Sequence, residues 1–299
     1  MINCIDVQQA RQVRASLLDR GVGDERLFIA VAPSDDTWAR DHGPITVYES
    51  GQPRLLDFRF NGWGNKYPAG LDDALSHAMS DAGRFGDCVF ERVELVLEGG
   101  SIESDGAGTL LTTRDCLLHP QRNPALSQAD IEVELKRLLG CEHVLWLRSG
   151  CIAGDDTDGH IDMLARFVSP RTLVYQGCDE TGYSCYASLK AMEKELQDLR
   201  DPDGQAYELI PLPWPAAHFD PAGRRLPASY ANFLVINTAV LLPVYNDPAD
   251  VAAIDVLKKC FPDRDIVPID CSAIIQQSGS LHCLTMQVPA GVPVTQLEC

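Results

Sequence analysis

The sequence predicts an α/β fold made of five strand-and-helix modules arranged around an axis. Three observations predict it. Helix-start signals recur five times along the 299 residues, short apolar or β-branched runs lie between them, and unusual polar residues fall at nearly one phase in four of the five periods. A three-layer α/β sandwich also alternates strands with helices and is the competing architecture.

Taken in order, Asp6-Val-Gln-Gln9 ahead of Val13 and Leu17 opens the first helix, and Leu27–Val31 reads as a strand. Ile45–Tyr48 and Leu55–Phe60 are the next strands, followed by a helix from Gly70-Leu71 through Leu75 and Met79, then strand Val89–Leu97. Thr109–Thr113 precedes Ser127-x-x-Asp130, whose spacing is that of a capping box ahead of Leu135, Leu138 and Leu139. Strands follow at Val144–Leu147, Met163–Val168 and Thr172–Tyr175, and Thr181 opens a helix carrying Leu189, Met192 and Leu196. Tyr207–Leu212 and Phe233–Ile236 are strands, Asp247-Pro248 starts a helix through Ile254 and Leu257, and Ile266–Ile269 is the last strand. The helix starts lie 64, 57, 54 and 66 residues apart. Each such module is too small to bury its own apolar face alone, so neighbours must stack. No linker or low-complexity tract divides the chain, which reads as a single domain over residues 1–299.

Composition narrows the function. At 45% apolar and 23% charged, the chain can bury a sizeable core without a staple, which excludes disorder and mini-protein scaffolds. With 43 acidic and 25 basic residues the net charge is −18, which repels phosphate backbones and anionic membranes and attracts cations. Nucleic acid is not an expected partner. The apolar stretch from Phe233 to Val244 is broken by Asn237, Thr238 and Pro243 and falls short of a membrane span, and the polar start is unlike a signal peptide. Eleven cysteines without any Cys-x-x-Cys suggest neither a disulfide framework nor a zinc ribbon, so the expectation is a reduced, cytoplasmic protein.

Four polar motifs stand out. Asp41 in Trp38-Ala-Arg-Asp-His-Gly-Pro44 pairs a carboxylate with an indole, a combination able to hold a cation, although a satisfied loop Asp would look the same. Glu98 ends an apolar strand beside Gly99 and Gly100, either aimed into a cleft or part of a Gly-rich turn. In Asp155-Asp-Thr-Asp-Gly-His-Ile-Asp162, strand alternation would put His160 and Asp162 on one face; metal binding, acid–base work and a satisfied core histidine all remain open. Cys283 sits in a small-residue loop suited to attack, but Cys116, Cys151, Cys178, Cys185 and Cys271 have comparable local surroundings. Phase unites them. Asp41, Glu98, His160 and Cys283 lie 35, 28, 33 and 36 residues after the helix start of their own period, so equivalent strand ends would bring them to one mouth. Pro211-Leu-Pro-Trp-Pro215 holds that phase in the fourth module and would supply a wall.

These segments, with Phe58-Arg-Phe-Asn-Gly-Trp63-Gly-Asn-Lys-Tyr67, Arg122-Asn-Pro124, Ser229-Tyr-Ala-Asn232-Phe233 and Ser280-Leu-His-Cys-Leu-Thr285, resemble those of the agmatine deiminase family, grouped with bacterial-type peptidyl-arginine deiminases. The resemblance implies a five-bladed pseudo-symmetric α/β propeller of the pentein type. It implies Cys283 as nucleophile, His160 as proton shuttle, Glu98 as its partner, and Asp41 with Asp162 as guanidinium ligands. Trp38, Trp63, Asp156 and Asn232 would complete the substrate site, with no cofactor and no metal. The product would be N-carbamoylputrescine plus ammonia. Family members carry a Pro-Ala-Glu-Trp segment and a Trp-Pro strand ahead of the point where this chain starts. The resemblance therefore implies a truncated first blade, in which the five residues before Asp6 leave no room for a strand. A homo-oligomer, the segment Val292–Cys299 or a mobile loop would repair it. The loop reading Gln277-Ser-Gly-Ser280 replaces a more usual glycine run.

Three rivals stay open. Free or peptidyl arginine would need a partner for a carboxylate or peptide backbone, for which Arg40, Arg59 and Arg122 are candidates, whereas Asp35, Asp36, Asp155 or Asp156 would suit the distal amine of agmatine. A non-catalytic polyamine-binding protein would release no ammonia. A metal-dependent hydrolase would use His160, Asp162 and His119.

Overall fold

A computed structural model describes residues 1–295. It is a mixed α/β fold with five sheets among the described residues, and the chain divides into two compact units, Met1–Leu97 with the stretch from Met286, and Glu98–Thr285.

In the first unit, β1 (Ile2–Cys4), α1 (Val7–Asp19) and β2 (Ile29–Val31) form a two-stranded parallel sheet bridged by the helix. The residues before Asp6 thus do hold a strand, contrary to expectation. Three residues need only about 10 Å of chain, and Asp6 serves as both connection and N-cap, accepting from Gln9 N at 2.7 Å. Next come α2 (Ala39–His42), β3 (Ile45–Glu49), β4 (Gln52–Arg59), α3 (Gly62–Asn65), α4 (Gly70–Asp81) and β5 (Val89–Val96). β3 pairs antiparallel with β4, and β4 parallel with β5 across α4. The Leu75 and Met79 stripe of α4 packs on Leu55, Ala30, Phe85 and Val292. Val292 therefore fills this core, and Thr295 N donates to Arg84 O at 3.1 Å; residues 296–299 of the expected repair segment lie outside the described residues.

The second unit repeats the plan three times. β6 (Ile102–Ser104), β7 (Thr109–Thr113), α5 (Arg114–Leu117), α6 (Gln128–Leu139) and β8 (His143–Leu147) form the first repeat. β9 (Ala165–Ser169), β10 (Thr172–Gln176), α7 (Tyr186–Asp198) and β11 (Glu208–Leu212) form the second; β12 (Leu234–Val235), β13 (Ala239–Val244), α8 (Asp250–Cys260) and β14 (Asp265–Asp270) form the third. In each, the first two strands are antiparallel and the third joins parallel after a helix. The capping box at Ser127 and Asp130 is present. Tyr230, Phe233, Val240, Leu242, Tyr245 and Leu257 lie in a dense apolar core.

Three expectations change in this unit. The helix expected from Thr181 starts at Tyr186, because its N-cap, Cys185, is fixed by a disulfide to Cys151 with Cα atoms 5.7 Å apart. That bond also corrects the fully reduced reading: pairing depends on placement in space, which a separation of 34 residues does not reveal. Ile161–Met163 is a 3₁₀ turn preceding β9, so His160 and Asp162 are buried by a tight turn rather than by strand alternation.

Candidate active site

Glu98 and His160 meet through long-range anchoring. Glu98 is fully buried where β5 gives way to a 3₁₀ turn, and its main-chain oxygen accepts from Ser101 N at 3.0 Å and Ser101 Oγ at 2.6 Å. Its carboxylate receives Arg122 Nε at 2.9 Å on both oxygens and lies 3.8 Å from His160 Nε2. Arg122 also donates Nη1 to Asp158 Oδ2 at 2.7 Å and Nη2 to Thr157 O at 3.0 Å, clamping the turn that leads to the histidine. Within that turn Asp155 Oδ1 accepts from Thr157 Oγ1 at 2.7 Å, Thr157 Oγ1 accepts from His160 N at 3.1 Å, and Asp158 takes a left-handed φ of 67°. Asp156 stands half-buried on the same turn.

Burial alone would push the Glu98 carboxyl up, but the neighbouring His160 imidazole and the Arg122 charge outweigh it, and the net shift is downward. Cys116 shows the opposite: burial and the Glu98 charge push its thiol up, and its Sγ–H donates to Glu98 Oε2 at 3.7 Å. Glu98, Cys116 and His160 offer donor atoms within 4.8 Å of one another. The Arg122 guanidinium already occupies both carboxylate oxygens, and a fixed cation there opposes a metal ion. His119, a proposed third ligand, instead accepts from Gln121 N at 3.3 Å.

Two residues beyond His160, Asp162 is fully buried and belongs to a second cluster around Cys283. Cys283 Sγ lies 3.8 Å from Asp162 Oδ2 and accepts from Asn232 Nδ2 at 3.3 Å. Asn232 Oδ1 accepts from His282 N at 2.9 Å, so the segment before β12 and the cysteine loop are stitched together at the sulfur. The structure also separates the cysteines that sequence left equivalent: Cys151 and Cys185 are bonded, burial pushes Cys271 up to about 11, and Cys116 and Cys178 are raised as well.

In the first unit, Asp41 and Trp38 are buried on and beside α2, and the indole that meets Asp41 is that of Trp63, whose Nε1–H donates to Asp41 Oδ2 at 3.0 Å. Trp63 is held with φ 55°, a left-handed conformation that a bulky residue adopts only under constraint. Its neighbour Gly62, at φ 66°, makes the turn possible, since a Cβ there would stand 2.3 Å from Tyr67 O. Arg40 pairs with Gln287 and donates to Met286 Sδ at 3.5 Å, and Arg59 pairs with Asp73 at 3.2 Å and Glu94 at 3.3 Å.

Sequence reasoning missed His282, Arg166, Glu103 and the clamping role of Arg122. Arg166 left a signal: an arginine inside the apolar run Met163–Val168 must be paired if that strand is buried. The expected wall segment carries Trp214, which packs with Tyr183 at 4.8 Å between ring centroids, and Arg225 lies over both rings.

Residues 1–289 match the model of the Porphyromonas-type peptidyl-arginine deiminase family. The chain belongs to this family. The agmatine deiminase of Stutzerimonas stutzeri is 36% identical over 96% of this chain and 82% of its own length. C. jejuni agmatine deiminase with substrate bound is 34% identical with a TM-score of 0.85, covering 94% of this chain and 79% of that one. The "putative arginine deiminase" of Porphyromonas gingivalis is 46% identical with a TM-score of 0.90, covering 97% and 84%. Family membership agrees with the resemblance carried by the motifs around Asp41, Glu98, His160 and Cys283.

Proposed function

We propose that this protein hydrolyses the guanidinium group of agmatine to N-carbamoylputrescine and ammonia, with Cys283 as nucleophile. The observation that carries the reading is the cluster in which Cys283 Sγ has the Asp162 carboxylate at 3.8 Å and the Asn232 amide at 3.3 Å. A guanidinium is planar, cationic and resonance-stabilised, hence a poor electrophile until it is held and met by a strong nucleophile. Asp162 supplies the anion that attracts it. The same carboxylate opposes a bare thiolate, whereas a bound cation favours one, so sulfur becomes reactive when substrate arrives.

The Cys283 thiolate adds to the central carbon, one NH2 group of the tetrahedral adduct takes a proton from His160 and leaves as ammonia as its C–N bond breaks, and a thiouronium remains on Cys283. The same imidazole then takes a proton from the water that hydrolyses it, freeing the thiol and the ureido product. Ionised Glu98, locked by Arg122, supports the charged imidazole between these steps. The family motif carries a guanidinium-binding role onto Asp41, with Trp63 orienting that carboxylate, and Trp38 and Asp156 complete the proposed substrate set. Five sheets, four of them of one plan, support the five-bladed pseudo-symmetric reading of the fold.

Agmatine is favoured over arginine because all three arginines suited to an α-carboxylate are engaged by the protein: Arg122 by Glu98 and Asp158, Arg59 by Asp73 and Glu94, Arg40 by Gln287. The P. gingivalis relative supports arginine as the second reading. Side-by-side assays of agmatine, arginine and a peptidyl-arginine for ureido product and ammonia decide it. Agmatine should lead by at least tenfold in kcat/KM, and Cys283→Ser should lower its turnover by a factor of about 1,000 or more without changing the circular-dichroism spectrum. Preference for arginine would replace the substrate, and turnover retained in Cys283→Ser would remove the mechanism.

A further inference from the structure

His282 lies next to the nucleophile in sequence, and neither the motif reading nor the proposed chemistry gives it a role. Its side chain is buried between two charged groups of opposite sign. Nδ1 is 2.8 Å from Asp162 Oδ2, and Nε2 is 3.3 Å from Nη2 of Arg166. An arginine guanidinium has only N–H donors and no lone pair to accept with. The 3.3 Å contact is a hydrogen bond only if Nε2 is the unprotonated nitrogen. A proton on Nε2 would turn that N–H toward a cation inside a buried site. With Nε2 accepting, the single imidazole proton sits on Nδ1 and is donated to Asp162.

Arg166 is itself fixed by chemistry that does not depend on the histidine. Its Nε pairs with Glu103 Oε2 at 2.7 Å, while Glu103 Oε1 accepts from Phe167 N at 3.0 Å. Nη1 of Arg166 donates to the carbonyls of Ala231 at 3.1 Å and Phe233 at 2.8 Å, and its guanidinium lies 4.7 Å from the Phe233 ring centroid. Those two carbonyls flank Asn232, the residue that donates to Cys283 Sγ. One buried arginine therefore sets two groups that lie against the sulfur: Asn232 through the backbone on either side of it, and Asp162 through His282.

We propose that Arg166 locks His282 as the neutral Nδ1–H tautomer, and that His282 in turn is a positioning residue that orients Asp162 as an undischarged anion for a cationic substrate. A neutral donor fixes the carboxylate through one oxygen without cancelling its charge. A lysine, arginine or protonated histidine in the same place would orient it equally well but would neutralise the group that must attract the guanidinium. Arg166 would neutralise it too if it reached Asp162 directly, and the imidazole keeps the two apart. This rests on the proposed guanidinium chemistry for its purpose, but the tautomer itself does not.

Two experiments separate those levels. Nitrogen-15 NMR of the unliganded protein at neutral pH should show His282 with Nε2 unprotonated and Nδ1 protonated, and Arg166→Gln should abolish that lock by allowing the Nε2–H tautomer or the doubly protonated ring. A wild-type ring found protonated on Nε2 overturns the proposal whatever the substrate proves to be. The second experiment compares the alkylation of Cys283 by a cationic haloacetamidine with that by neutral iodoacetamide, followed by mass spectrometry. His282→Leu should lower the cationic-to-neutral rate ratio at least tenfold. His282→Asn, which keeps a neutral N–H donor near the position of Nδ1, should restore most of it. An unchanged iodoacetamide rate identifies a folded variant with an accessible thiol. Equal ratios in wild type and His282→Leu overturn the proposal. Failure of the wild-type protein to turn over agmatine, with tautomer and ratios as expected, instead overturns the substrate reading alone.

Discussion

His42, at the end of α2, is buried with neither ring nitrogen hydrogen-bonded, and burial lowers its pKa from 6.5 to about 4. The unfolded chain therefore takes up this proton before the folded one does. The sign follows: stability from a neutral His42 is fully present above pH 6.5 and is lost as pH falls toward about 4, by roughly 3 kcal/mol at most. Asp72 works in the other direction, because burial raises it from 3.8 to about 6 and the folded chain holds its proton first as pH falls. Wild-type stability alone will blend the two. Comparing it with His42→Phe by urea denaturation isolates the histidine: the difference should move in favour of the variant by about 2 kcal/mol between pH 7 and pH 4.5, and a difference independent of pH would show that His42 is not held neutral. Other single residues were legible to different degrees. Asp41, Glu98, His160, Asp162 and Cys283 were visible because charged or nucleophilic side chains sat where strands end. Choosing Cys283 over its neighbours needed the family motif, since the features that separate it, the Asn232 amide and the Asp162 carboxylate, come from segments 51 and 121 residues away. In sequence Arg122 is a candidate carboxylate partner only under the rival arginine reading, and its fork on Glu98 and Asp158 is what reveals a clamp.

Whole elements were easier to read than the turns between them. β7 lies over Thr109–Thr113 as the pattern placed it, and α1, α4 and α6 start where Asp6, Gly70 and Ser127 signal. Three strands escaped: Ile2–Cys4 and Ile102–Ser104 are three residues long, too short for a period of two to declare itself, and Ala239–Val244 is a continuous apolar run with no alternation. The turn Ile161–Met163 escaped for a different reason: its apolar residues continue into β9, and only the anchoring of Thr157 and Asp158 by Asp155 and Arg122 folds it back. The Cys151–Cys185 link belongs to this scale, tying the segment after β8 to the start of α7, where Gly150 N also donates to Ser188 Oγ at 2.9 Å. Closing a loop of this length stabilises a fold by about 4 kcal/mol. Non-reducing peptide mapping should recover Cys151 joined to Cys185, and the paired Cys151→Ser, Cys185→Ser variant should melt several degrees lower than wild type. Equal melting temperatures would mean that the hydrogen bonds Ser188 Oγ accepts from Gly150 N, and the Glu195 carboxylate accepts from Arg148 N at 2.6 Å and Ser149 Oγ at 2.7 Å, already hold this segment without the bond.

At the scale of the molecule, the net charge of −18 acts on a substrate before any residue touches it. Agmatine carries two positive charges at neutral pH, on the guanidinium and on the distal amine, whereas arginine carries a net charge of one because its carboxylate cancels its amine. A net-acidic protein draws in the more highly charged cation more strongly, and the attraction is screened as the Debye length shrinks from about 30 Å at 0.01 M salt to about 8 Å at 0.15 M. The proposed chemistry at Cys283 would take place in a buried cluster that mobile ions screen far less. Salt should therefore lower kcat/KM for agmatine severalfold over that range while kcat stays within about twofold, and the logarithmic slope should be about half as steep for arginine. The measurement is a set of initial rates with both substrates across a sodium chloride series at constant pH. A flat kcat/KM for agmatine would show that the surface charge plays no part in capture, leaving the preference for a dication to the carboxylates of the site alone. Equal slopes for the two substrates would mean that the protein senses only the guanidinium they share.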